Sequence, residues 1–202
     1  MIHRCSRCKK DAIHFQAYSG LHLCREHFIQ DLERKVKREI RKNRWLRHGD
    51  RIGVPLNGGR QTATLLHLLQ TITRGRRDIE IISLSSDTGL TAIALGNTLD
   101  DDAVSTLTGF VSGDISRILN TGADPSDKIR GISPLATIPT EEVDLYAALL
   151  ELSGDEDMSD EVGLESDLRS ILSKYSRRHP STLYAVSHIG ESIRKSGEKP
   201  KE

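Results

Sequence analysis

RIGVPLNGGRQTATLLHLL, Arg51 to Leu69, is the stretch that decides the fold. Ile52, Val54 and Leu56 alternate as in a strand, Asn57-Gly58-Gly59-Arg60-Gln61-Thr62 breaks the pattern, and Leu65, Leu66, Leu68 and Leu69 continue at helical spacing. The order strand, glycine turn, helix is that of a phosphate cradle. Two glycines let the backbone approach an anion, and the free N–H groups at the positive end of the following helix face it. Many α/β proteins make a Gly-Gly turn with no ligand, so the motif alone leaves both readings open.

Upstream of this stretch the charge is one-sided. The 202-residue chain balances 29 Lys and Arg against 29 Asp and Glu, yet Met1 to Arg60 holds 15 basic against 6 acidic residues. A basic N-terminal third predicts a polyanionic partner, nucleic acid being the usual one. No apolar run approaches the roughly 20 residues that span a bilayer and no leader precedes the basic region, so a cytoplasmic protein with no membrane partner is expected.

All three cysteines fall in the first 24 residues, as Cys5-x2-Cys8 and then Cys24-x2-His27. Two close pairs, each able to hold one side of a tetrahedral ion, predict a structural Cys3His zinc site made by Cys5, Cys8, Cys24 and His27. The odd cysteine count and the intracellular reading disfavour disulfides. Four protein ligands leave no open position, so the zinc is expected to hold the segment together without activating water.

Between knuckle and cradle the spacing predicts a helix from Arg25 to about Leu46, with Phe28, Leu32, Val36 and Ile40 as its apolar stripe. Its other faces carry Arg34, Lys35, Lys37, Arg38, Arg41, Lys42 and Arg44. A solvated charged face is the commoner fate of such a run. Its single sign favours contact with RNA phosphates.

The six residues Asn57 to Thr62 resemble the S-G-G-x-D-S loop of the PP-loop ATP pyrophosphatases, in particular the tRNA 2-thiolation branch. Both glycines are kept, Arg60 stands for the family's lysine and Thr62 for its serine, while Gln61 replaces the acid. A neutral amide brings no charge to a divalent cation, which weakens metal-assisted attack on ATP. The knuckle and the K-x-x-R-E-I-R-K-N wording from Lys35 to Asn43 are similar to the same family. So are the strand Ile79 to Leu84 with its Ser85-Ser86-Asp87-Thr88-Gly89 turn, the Asp100-Asp101-Asp102 helix, and KIRGISPLATIPTEE from Lys128 to Glu142.

The departures are as informative. Leu90 passes straight to an apolar stretch, Thr91 to Gly96, where the family has a helix, a strand, a second helix and a catalytic cysteine. A parallel crossover ordinarily takes a dozen residues or more, whereas Ser85 to Thr91 reaches roughly 23 Å extended. The sheet is therefore expected to be smaller or its connection different. The family's second catalytic cysteine is matched by Gly154-Asp-Glu-Asp-Met-Ser159, without a thiol, and no second knuckle follows. Thr98-x-x-Asp101 reads as a capping box, which explains the aspartates without a ligand.

The resemblance implies an α/β protein with a reduced Rossmann-like (PP-loop/HUP-type), mostly parallel sheet, an N-terminal zinc knuckle and a long basic helix. The expected units are the knuckle at 1–28, the basic linker helix at 29–50, a PP-loop nucleotide-binding-like domain at 51–152, a C-terminal helical part at 153–193 and a disordered tail at 194–202. Asn57, Gly58, Gly59, Arg60, Thr62 and Asp87 are the implied nucleotide residues, with ATP as the nucleotide if the loss at Gln61 leaves binding intact. The implied function is tRNA thiolation by association: a pseudoenzyme that binds tRNA and supports an active paralogue or works as a homodimer. Two alternatives stay open, an active ATP-dependent tRNA sulfurtransferase fed by an external sulfur carrier and a zinc-knuckle regulatory protein that binds nucleic acid.

Overall fold

The structure is a computed structural model describing residues 3–55, 59–84, 89–119, 129–154 and 163–197. Two short antiparallel strands, β1 (His14–Gln16) and β2 (Leu21–Leu23), carry the knuckle and lead into α1 (Arg25–Asn43). The helix ends where Arg44 turns left-handed, at φ 52°, and its N–H returns to the carbonyls of Arg41 and Ile40. Then follow β3 (Arg51–Pro55), α2 (Gly59–Thr73), β4 (Glu80–Leu84), β5 (Ala92–Ala94), α3 (Leu99–Ser112), α4 (Ile115–Leu119), β6 (Arg130–Ile132), α5 (Thr140–Leu149), α6 (Leu164–Ser176) and α7 (Thr182–Gly197).

Four strands form a parallel sheet in the order β4-β3-β5-β6. The expected α/β class with a parallel sheet holds, and the register explains how seven residues cross from β4 to β5. Leu84 lies level with Pro55 and Ala92 level with Ile52, on opposite sides of β3. The crossing therefore descends three residues, about 10 Å, and moves two strand spacings sideways, about 10 Å, well within reach of the linker. Short strands replace the missing crossover helix. The landing is fixed at the other end: Thr91 Oγ1 donates to buried Asp50 at 2.8 Å, and Arg130 Nη2 reaches the same carboxylate at 2.7 Å. The Arg130 guanidinium and Thr91 hydroxyl thus tie the amino ends of β3, β5 and β6 together.

The main core lies between the sheet and helices α1, α2 and α5. Phe28, Leu32, Val36 and Ile40 of α1 meet Ile52, Val54, Leu65, Leu68, Leu69, Ala92, Ile132 and Tyr146. The period of four predicted for α1 is therefore the buried stripe. A second, smaller core joins α3, α6 and α7 through Leu99, Ala103, Val104, Leu172 and Leu183. Gly190 lets α7 come close to α3, since a Cβ there would sit 2.4 Å from Thr106 Oγ1.

After α3 the chain forms α4, where Ile118 is buried against Gly109, whose missing Cβ makes the space. The tail expected from Arg194 is helical to Gly197, held by Arg194 on Asp102 at 3.1 Å and by Lys195 on Glu191. Residues 198–202 lie outside the described residues.

Among the described residues no helix is long and apolar enough to cross a membrane.

Candidate functional site

The knuckle brings its four donors together. Cys5 Sγ lies 3.4 Å from His27 Nδ1, Cys24 Sγ lies 3.3 Å from the same nitrogen, and Cys8 Sγ lies 3.7 Å from Cys24 Sγ. All four ligand atoms fall within 4.8 Å of one another. The tight turn after Cys5, the β1–β2 ribbon and the first turn of α1 each deliver part of the set. Cys24 is the residue before the helix, so His27 projects back onto it one turn later.

Electrostatics fit a cation here. Burial pushes the Cys5 thiol up, but N–H groups of Arg7, Cys24 and Cys8 and the His27 ring overcome it and bring it down to about 6. Burial and the neighbouring Glu26, Cys8 and Cys5 hold the Cys24 thiol up, at about 11. One thiol is thus lowered while its neighbour is raised, a conflict between two groups that share one site. A divalent ion would remove that conflict.

A buried polar network joins the knuckle to the sheet domain. Glu142 on α5 is 2% exposed, accepts a hydrogen bond from Tyr18 at 2.5 Å, and lies 3.3 Å from Lys35 Nζ and 3.6 Å from His14 Nε2. Lys35 also pairs with Asp31 at 2.9 Å, and Asp31 receives Arg7 at 2.5 Å and Gln16 at 3.1 Å. Burial works against ionisation of both acids, yet their partners win and hold both below the ordinary carboxylate range, Asp31 at about 2. Lys35, expected on the RNA-facing side, is therefore turned inward as a structural cation.

The other basic residues of α1 divide. Lys37 pairs with Glu33 at 3.5 Å, and Lys42 reaches Glu39 at 3.6 Å and Glu191 of α7 at 3.3 Å. Arg34, Arg38, Arg41 and Arg44 are exposed. An open groove of about 780 Å³ runs along this outward face, lined by Gln30, Glu33, Arg34, Lys37, Arg38, Arg41 and Lys42. Its lining holds five cations and one acid, an arrangement that attracts phosphate.

Gly59, Arg60 and Thr62 of the candidate cradle lie in the first turn of α2, which follows β3, and the sheet order reverses between β3 and β5, the place where open α/β sheets form a crevice at their carboxyl ends. Gly59 has φ 55° and opens α2, which supports the requirement for glycine there. Thr62 is 6% exposed and Arg60 is exposed. Two glycines pack closely against the start of α2: a Cβ on Gly96 would meet Thr62 N at 3.4 Å, and one on Gly154 would fall 2.2 Å from Gly59 O. Asn57, Gly58 and Asp87 lie outside the described residues.

The aspartate run is structural in its contacts. Asp101 and Thr98 form the expected capping box, with Thr98 N donating to Asp101 Oδ2 at 2.8 Å, and Arg169 pairs with Asp101 at 2.9 Å. Asp100 accepts from Thr140 N at 2.8 Å, and Asp102 accepts from Ser187 at 2.5 Å. Sequence reasoning missed Asp144, whose carboxyl is raised by burial and by Asp100 while Arg60 lowers it. Half-buried on α5, it gave no signal beyond one acid in a helix.

Comparison with known proteins places these features. Residues 4–29 match the family described as 2-thiouridine synthetase TtuA, N-terminal LIM domain. The chain is 22% identical over 270 residues to the tRNA 2-thiolation protein NcsA of Haloferax volcanii, covering 90% of this chain and 84% of that protein. A 270-residue match to 90% of a 202-residue chain means that stretches of the Haloferax protein have no counterpart here. A probable sulfurtransferase of Methanocaldococcus jannaschii is 24% identical over 217 residues, covering 70% of this chain and 63% of its own length. Among solved structures, the U34-tRNA thiolase NcsA of Methanococcus maripaludis with its [4Fe-4S] cluster superposes with a TM-score of 0.83 at 19% identity, covering 96% of this chain and 88% of that one.

That last structure corrects the expected cofactor. A protein of the same fold carries a [4Fe-4S] cluster, so zinc as the whole metal complement does not stand. Thiolate-rich donor sets take iron as well as zinc, which spacing in the sequence does not separate. The three thiols of this sequence all lie in the knuckle, so a cluster and a single ion would compete for the same Cys5, Cys8, Cys24 and His27. With its parallel sheet, its Cys3His knuckle and matches that span most of its length, the chain is similar to the TtuA-like tRNA 2-thiolation proteins.

Proposed function

We propose that this protein binds tRNA along the outward face of α1 and serves 2-thiolation without transferring sulfur unaided, delivering the RNA to an active relative. One observation carries the reading: the three thiols of the sequence converge on a single centre with His27. Thiolation needs a uridine activated by ATP and a sulfur carried to it, and a thiol engaged by a metal is not a free nucleophile. Gln61 in the acidic position of the cradle and the structural engagement of Asp100, Asp101 and Asp102 support the same view. Gly59, Arg60 and Thr62, with Asn57, Gly58 and Asp87, form the proposed nucleotide site, where ATP binding assists folding or RNA affinity and is not followed by turnover. The test is pyrophosphate release from ATP in the presence of tRNA, expected to stay at the level of a protein-free control.

A second reading is an active sulfurtransferase whose knuckle holds the reactive metal centre, supplied with sulfur from outside. The cluster carried by the Methanococcus neighbour favours it. Anaerobic purification followed by iron and sulfide analysis separates the two, since this reading requires both elements bound at the knuckle.

A further inference from the structure

The knuckle carries a stack of rings in the open that neither the metal centre nor the core uses. Phe15 and His22 are directly opposed on β1 and β2, with ring centroids 4.5 Å apart and planes 26° from parallel. His3 continues the column on the other side of His22, at 4.3 Å and 5°. Strand alternation sends the neighbours His14 and Gln16 inward to the Asp31 and Glu142 network and leaves the rings outward. Phe15 is 50% exposed and Ile13, on the same side of the ribbon, 47%. A phenyl ring at the end of a parallel stack and open to water offers a fresh π-face.

We propose that the His3–His22–Phe15 column is a stacking platform for an unpaired nucleobase of the bound RNA. The inference rests on the tRNA-binding reading above and adds the part of the RNA that would touch the knuckle. Aromatic side chains recognise single-stranded loops by stacking, because unpaired bases expose a face that a duplex hides. The charge of the segment that carries the column fits that partner. Arg4, next to His3 in the chain, is 74% exposed at its side chain and its approach to Asp11 is 3.9 Å long, Lys9 is exposed, and the first 60 residues carry 15 basic against 6 acidic groups. A basic segment that also carries an exposed π-face suits a nucleotide, whose phosphate and base need one of each.

The test uses the full-length, metal-loaded protein and a short single-stranded RNA bearing one 2-aminopurine, alone and annealed to its complement. Stacking on Phe15 should quench the 2-aminopurine. Phe15→Ala should abolish the quench and weaken single-strand binding about tenfold, with duplex binding unchanged and metal content retained. Phe15→Trp should preserve both quench and affinity. If Phe15→Ala leaves quench and affinity intact while Arg38→Glu weakens both RNA forms, the platform is wrong and the tRNA-binding reading survives. If the wild-type protein binds neither RNA form nor tRNA, both are overturned. If Phe15→Ala instead splits a dimer in sedimentation without changing RNA affinity, the column is a contact between copies and the proposal fails.

Discussion

Lys35 Nζ on α1 lies 3.3 Å from Glu142 Oε2 on α5, with side chains 17% and 2% exposed. The pair crosses from the basic helix to the helix that flanks the cradle, and Tyr18 of the knuckle hydrogen-bonds to both residues. Knuckle, basic helix and sheet domain therefore meet at one buried carboxylate. Removing one member of a buried pair strands the other charge. Lys35→Met should cost about 3 kcal/mol or more of unfolding free energy, read by urea denaturation. Lys35→Met combined with Glu142→Leu should recover part of that loss.

The outward arginines should act on RNA and not on stability. Arg38→Glu and Arg41→Glu are expected to leave the urea midpoint nearly unchanged and to weaken tRNA binding. For each RNA phosphate that an arginine no longer neutralises, the slope of log affinity against log salt should fall by about 1. Lys35→Met, compared at a temperature where it is folded, should leave that slope unchanged. Filter binding across a salt series measures it.

Asp31 makes acid stability testable. Its folded-state carboxyl lies at about 2 against an ordinary 3.8, so its ionised form is favoured by folding. The stabilisation is complete above the ordinary value and drains away as pH falls through the folded one. Wild type should therefore exceed Asp31→Asn in unfolding free energy at pH 6, and the gap should narrow steadily from about pH 4 towards about pH 2. A gap constant over that window would show that the ion pairs of Asp31 contribute nothing.

Metal removal should act locally first. Cys8→Ser, or a strong chelator, should empty the centre and expose the amides of 13–24 to hydrogen exchange while those of β3 and α2 stay protected. Metal-ligated knuckles owe their folding free energy to the ion. Exchange measured by mass spectrometry, with metal analysis on the same sample, checks both.

Much of this architecture was legible in the sequence because it rests on local patterns. The four-residue period of Phe28, Leu32, Val36 and Ile40 gave the buried side of α1, the cysteine spacing gave the donor set, and Thr98-x-x-Asp101 gave the cap of α3. What was not legible depends on distant partners. Nothing in the run Arg34 to Arg44 marks Lys35 as the one cation turned inward, since Glu142 lies 107 residues away. The short β4 to β5 crossing depends on the level of Ala92 beside Ile52, a register that no local pattern fixes. The metal is a third case: spacing names the donors, while thiolates accept iron and zinc alike.

The most direct test of the account is a thiolation assay on the purified, homologue-free chain given tRNA, ATP, magnesium and a sulfur source, with and without an active member of the family. The account predicts no thiolated tRNA from the chain alone and a higher yield when it is added to the active relative. Thiolated tRNA formed by the chain alone, and lost with Cys8→Ser, would contradict it.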